Sequence, residues 1–223
     1  MNVTLVRFTN DPQEAIELAA SNCYNSKPNG KIMKACYESG HKSVLEFAQF
    51  HFHIEGISRA CSLQLVRHRT FSFAQRSQRW CGESGFDYVT PNSILTNHQA
   101  KASYDRLMHQ IESIYEELQR FRISNEDARF VLPNACCTEI DVSCDFRNLC
   151  HFMNERLCTK AQWEIRQLAQ KMKECVIEVF PEAASMLVPK CEMYNVHFCT
   201  EKKPCGRHTI LEDMLHENES DGE

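Results

Sequence analysis

Arg67-His68-Arg69 and Arg76-Ser77-Gln78-Arg79 place four arginines and no acid in one short stretch of a chain whose formal net charge is −5. Each guanidinium presents a planar fork of donors that can grip a phosphate or another oxyanion at two points. Crowding such forks costs repulsion, so the cluster calls for an anion. In an acidic protein this reads as a pocket for a small phosphorylated ligand rather than a nucleic-acid surface. The competing reading is a solvated basic loop, since many surface arginines do nothing specific. Ser77 beside Arg79 adds a hydroxyl that suits a phosphate grip. No Asp/His pair lies near it to make it a nucleophile.

A second group of chemistry-bearing residues lies near the C-terminus. Cys191, His197, Cys199 and Cys205 are candidate zinc ligands. Their spacing, C-x7-C-x5-C, lacks a CxxC knuckle, so the expectation is packed or exposed thiols and no metal. Cys136 and Cys137 are expected in a strand, where adjacent side chains point to opposite faces and do not chelate one ion. The total of 13 cysteines is odd, and the opening MNVTLVRFTNDP has no secretory pattern. Both point to free thiols and a cytoplasmic location. No apolar run approaches membrane-spanning length.

Stepping outward, 223 residues with 43% hydrophobic and 25% charged content suit a globular chain with a substantial core. Val3 to Phe8 reads as a strand. Asp11-Pro12-Gln13-Glu14 opens a helix, with cap, proline and N3 glutamate in order. A further short helix ends near Gly40, and Ser43-Val44-Leu45-Glu46 has the form of a capping box. Ala48, Phe50, Phe52 and Ile54 alternate with polar residues, the mark of a half-buried strand. Residues 57–66 read as a helix delivering the arginines to its C-terminal end, followed by a loop through Pro91. Residues 97–121 form the clearest helix, with Tyr104, Leu107, Met108, Ile111, Ile114, Tyr115, Leu118 and Phe121 on one face. Thr138, Ile140 and Val142 alternate as a strand. Ser143 is the expected cap of the next helix, and Thr159 to Gln162 the cap of the last, which stops at Pro181. His216 to Glu223 is expected to be disordered.

The stretches Glu55 to Arg59, Gln64 to Arg69 and Ser77 to Arg79 together resemble the flavin-dependent thymidylate synthases, the ThyX family. The family hallmark is Arg-His-Arg, seven residues, then Ser, matched here by Arg67-His68-Arg69 and Ser77. His41 to Glu46, Ala128 to Pro133 and Ala161 to Arg166 resemble its other landmarks. The resemblance covers about residues 1–185.

The resemblance implies an α+β fold, a mixed sheet packed with long helices. It implies a catalytic domain over 1–188, with 189–223 as a cysteine-containing extension. It implies reductive methylation of dUMP to dTMP, with methylenetetrahydrofolate as carbon donor and FAD and NADPH as reductant. Arg67, His68 and Arg69 would lie along the FAD, with Ser43, Gln75, Arg147 and His151. The spacing of Arg147 and His151 independently puts them on one helix face. Gln64, Arg67, Gln75, Arg76, Ser77, Gln78 and Arg79 would surround dUMP. Arg156 would contact the uracil and favour its ionised form, and His41 would lie near flavin and folate. Family members assemble as homotetramers with active sites between subunits. None of the cysteines falls in the signature, which argues against the cysteine-dependent thymidylate synthase. Glu139 departs from the pattern, standing where several relatives carry a basic nucleotide-contacting residue.

Taken without the resemblance, simpler readings stand beside these roles. Arg147 and Arg156 could pair with acids such as Asp145 or Glu155, Ser43 could only cap its helix, and His151 could be an ordinary interfacial histidine. Two rival functions also remain. One is a ThyX-like flavoprotein with an altered substrate. The other is a single-stranded nucleic-acid binder using residues 59–80, where Phe71, Phe73 and Trp80 interleave with the arginines. Net acidity argues against the second, and no nucleic-acid or membrane partner is expected.

Overall fold

The structure, a computed structural model, describes residues 1–211 and 213–214. The acidic end expected to be disordered, His216 to Glu223, lies outside the described residues. The elements in chain order are β1 (Asn2–Phe8), α1 (Pro12–Tyr24), α2 (Ile32–Glu38), β2 (Gln49–Ser58), α3 (Arg59–Leu65) and β3 (Ser72–Gln75). There follow α4 (Asn92–Leu95), α5 (His98–Arg120), α6 (Asn125–Ala128), β4 (Cys137–Asp145), α7 (Phe146–Arg156) and α8 (Trp163–Val179). Short 3₁₀ helices occupy Lys42–Phe47, Arg129–Val131, Pro181–Ser185 and Lys190–Glu192.

The strands form one antiparallel sheet in the order β1-β2-β4-β3, which narrows the expected mixed sheet of an α+β fold. Period-two patterning survives intact. Phe50, Phe52 and Ile54 of β2, and Thr138, Ile140, Val142 and Cys144 of β4, are buried, while their neighbours are half-buried or exposed.

By its contacts the chain divides into two compact units, Met1–Val3 with His53–Val142, and Thr4–Phe52 with Ser143–Glu223. In the first, Ser58 Oγ accepts from the Cys61 N–H at 3.0 Å and opens α3. Asn97 Oδ1 accepts from the N–H groups of Gln99 and Ala100 and opens α5. The apolar face expected on α5 is divided. Met108 and Tyr115 are buried, but Leu107, Ile114 and Phe121, seven apart on one line of the helix, are exposed.

In the second unit, Phe146 lies between Phe50 at 6.0 Å and Phe180 at 5.1 Å between ring centroids, the aromatic centre of that core. Glu17 is buried, and its carboxylate accepts the backbone N–H groups of Asn29 and Gly30 at 2.9 and 2.8 Å, fastening the loop between α1 and α2. Burial alone would raise its pKa. Hydrogen bonds from Gly30, Gln13, Asn29 and Met33 outweigh that and hold the group below the ordinary carboxylate range.

Local capping differs from the expectation at three places. Ser43 lies inside a 3₁₀ helix that makes no side-chain cap bond, and Glu46 turns to Arg147 instead. Strand β4 runs on through Ser143, so Asp145 caps α7 by accepting from the Asn148 N–H at 2.8 Å. Gln162, not Thr159, caps α8. In each case the sheet or a tertiary partner claims a residue whose local preference pointed elsewhere. Strand β3 was not anticipated. It is four residues long, and its edge position needs no strong apolar alternation.

Candidate functional site

The island residues all belong to the first unit. Helix α3 ends at Leu65, and successive turn bonds, Arg67 N–H to Gln64 O and His68 N–H to Leu65 O, carry the chain out of it. Arg67 and Arg69 project as exposed side chains on either side of His68, which is buried against Phe71 with ring centroids 5.8 Å apart. Among the described residues no ion pair holds Arg67 or Arg69. Their position just beyond a helix C-terminus suits cations.

The second half of the island is arranged differently. Strand β3 ends in Gln75, whose Nε2 donates to Ser62 Oγ at 2.9 Å and Thr138 Oγ1 at 3.2 Å. Gln78 is buried and donates to the Cys136 sulfur at 3.7 Å. Ser77 Oγ accepts from the Arg79 N–H at 3.3 Å, as a turn-forming hydroxyl does. Both remaining arginines have acids: Arg76 Nε lies 3.3 Å from Glu83, and Arg79 Nε 2.9 Å from Glu126. Gln64 is half-buried on α3.

Arg76 also lines a cleft of about 560 Å³ whose other charged walls are Glu55, Glu83, Asp87 and Glu139. The departure noted at Glu139 thus sits in an acidic setting. Glu83 carries no sequence signal of its own. It lies in a glycine-containing loop and is drawn inward where its N–H donates to the Tyr115 hydroxyl at 3.1 Å. The aromatic series that suggested base stacking is broken: Phe71 belongs to the core, while Trp80 is 76% exposed, with Arg79 over its ring.

The remaining candidates belong to the second unit. Helix α7 buries Phe146, Leu149, Cys150, Phe152 and Met153, which leaves Arg147 and His151 on its exposed side, one turn apart as their spacing requires. Arg147 Nη1 bonds Glu46, three residues from Ser43, so the 3₁₀ helix holding exposed Ser43, with exposed His41 just before it, meets that face. The acid that Arg147 takes is therefore distant in sequence, while Asp145 is spent on the cap. Arg156 stands half-buried in the last turn of α7. The helix end is anchored where Asn154 Nδ2 donates to Val188 O at 2.7 Å.

At the C-terminus, three of the four residues weighed as zinc ligands line one cavity. The cavity there is lined by Cys191, Cys199 and Cys205, with Cys158 rather than His197 as the fourth. The His197 ring instead lies 5.2 Å from that of His208.

Comparison with known proteins adds an independent line. The family described as thymidylate synthase complementing protein matches residues 4–182. The flavin-dependent thymidylate synthase of Nitratidesulfovibrio vulgaris is 37% identical over 239 residues, covering 95% of this chain and 97% of its own. That of Geobacter sulfurreducens is 40% identical over 205 residues, covering 86% and 88%. Among solved structures, the Helicobacter pylori flavin-dependent thymidylate synthase ThyX, in complex with FAD and dUMP, superposes with a TM-score of 0.70. At 21% identity, over 84% of this chain and 98% of that one, this likeness is one of fold.

Proposed function

We propose the following roles for a chain that belongs to the family of flavin-dependent thymidylate synthases. It is an FAD-dependent enzyme of dTMP synthesis. The reaction we assign is reductive methylation of dUMP, with methylenetetrahydrofolate giving the carbon and NADPH the reducing equivalents. The observation that carries this is the Arg67-His68-Arg69/Ser77 signature within a match spanning residues 4–182.

FAD carries a diphosphate, and Arg67 and Arg69 offer exposed guanidinium groups with no carboxylate partner among the described residues. That donor chemistry fits it. We assign His68, Gln75, Ser43, Arg147 and His151 to the same cofactor and His41 to the flavin and folate. Flavin, when bound, supplies the hydride. Gln64, Arg67, Gln75, Arg76, Ser77, Gln78 and Arg79 are assigned to dUMP. Arg156 donates to the uracil and stabilises negative charge developing on the ring, which makes C5 the nucleophile without a protein thiol.

We further place residues 1–188 in the catalytic domain and 189–223 in an extension. The homotetrameric assembly we propose is supported by the exposed Leu107 and Ile114 of α5 and Phe121 at its C-terminal cap. A cytoplasmic setting agrees with 13 free cysteines. No helix among the described residues is long and apolar enough to cross a membrane.

The deciding experiment is dTMP formation by the purified chain with dUMP, methylenetetrahydrofolate, FAD and NADPH, each omitted in turn. Product that depends on all four is expected. A colourless protein with no product would overturn the assignment. One observation favours a second reading, an altered substrate: Glu139 lies with three other acids on the Arg76 cleft. If dUMP phosphate approaches that wall, Glu139→Gln tightens dUMP. Unchanged weak dUMP binding in both proteins would favour the altered substrate.

A further inference from the structure

We propose that Cys158, Cys191, Cys199 and Cys205 bind one zinc ion through four thiolates and so fasten the C-terminal segment to the end of α7. All four line a single cavity of about 20 Å³, space for one ion and too little for an organic ligand. They arrive from four separate places. Cys158 lies two residues beyond α7, and Cys191 within the 3₁₀ helix Lys190–Glu192. Cys199 is held by its N–H to Thr209 O at 2.8 Å and by a bridge to Ile210. Cys205 occupies the turn before Gly206, whose φ of +88° an L side chain rarely adopts.

None of these cysteines is in a disulfide. Cys205 is exposed and the other three are half-buried, so an ion can enter from solvent. Thr159, beside Cys158, lines the same cavity as Cys205. Lys160, Lys190 and Arg207 line the same cavity with one acid, Glu201, which pairs with Lys190, so the lining carries more positive than negative charge against the net −2 of a tetrathiolate zinc centre. Soft sulfur donors in this number select zinc over the hard divalent cations.

A rival group shares one ligand. The donor atoms of Cys191, Glu192 and His208 lie within 4.8 Å of one another, a tighter cluster than the four sulfurs make. Glu192 is nevertheless engaged already, by His208 at 3.1 Å and Arg207 at 3.2 Å. Spacing alone could not find Cys158, which is remote in sequence from the other three.

The test uses the full chain, expressed with zinc and dialysed, and reads metal by mass spectrometry. About one zinc per chain is expected, falling below about a tenth in Cys158→Ser and in Cys205→Ser, and retained in His208→Ala and His197→Ala. Zinc kept by Cys158→Ser but lost from His208→Ala would hand the ion to the rival trio and overturn the proposal. So would a wild-type chain holding less than about a tenth of an equivalent after zinc reconstitution. If a serine variant does not fold, the wild-type chain still decides. Chelation should expose four further thiols to a thiol reagent, and cobalt in place of zinc should show the intense visible bands of a tetrahedral thiolate site. No new thiols and no such bands would sink the proposal.

Discussion

The two halves of the arginine island are alike in composition and opposite in circumstance. Arg76 and Arg79 are matched to Glu83 and Glu126 within the first unit. Arg67 and Arg69, a few residues earlier, are exposed with no carboxylate opposite them among the described residues. The difference separates charges that meet a ligand with a carboxylate already beside them from charges that have only the ligand. A committed pair brings its own counter-ion, whereas an uncommitted cluster is tolerated only because something else supplies one. Glu17 extends the committed class, as a buried anion satisfied by backbone N–H groups.

Breaking the uncommitted class should cost function and spare stability. The largest effect of any is expected outside that comparison, at Arg156, the arginine assigned to the uracil. Arg156→Ala should lower turnover by about 10²–10³ while bound flavin is kept, since one preorganised donor to a developing oxyanion carries roughly that much. Steady-state dTMP formation beside the visible spectrum checks this, and near-normal turnover would remove Arg156 from the mechanism. Next is Arg67→Ala, expected to weaken FAD by roughly ten- to a hundredfold, the size of a lost charge-assisted hydrogen bond. Flavin titration followed by thermal melting should show an unchanged melting temperature; a large fall in it would mean that Arg67 serves the fold.

Breaking the committed class should do the reverse. Glu17→Gln should lower stability at neutral pH by about 2 kcal/mol, because hydrogen bonds to a charged acceptor are weakened. The sign of its pH dependence follows from the lowered pKa. The carboxylate stabilises the fold above its ordinary, unfolded-state pKa, and that contribution disappears as pH falls through the lower folded value. The gap between wild type and variant should therefore close in acid; a gap that persists there would contradict the assignment. The smallest effect is expected at Glu126→Ala, under about 1 kcal/mol by denaturant unfolding, because the Arg79 pair is half-exposed. A loss well above that would mean the pair anchors the loop.

Much of this fold is legible along the chain. β2, β4 and α5 lie close to where apolar periodicity places them, because burial of one face is a pattern written along the chain. The exposed Arg147/His151 face of α7 follows from helical spacing alone. β3 was not readable, since a four-residue edge strand is defined by the partner it pairs with. Ser43, Ser143 and Thr159 do not cap their helices because local preferences worth about 1 kcal/mol yield to sheet pairing and packing.

The family, the half-buried strands and the residue types able to meet an anion are all written in the order of residues along the chain. These are local properties, or matches of position to position. Which arginines are already neutralised and which cysteines face one cavity is settled by the folded backbone. Glu83 and Glu126 find their arginines, and Cys158 its three companions, through folding of the backbone. Electrostatic pairing and metal ligation depend on distance in space, which separation along the chain does not set.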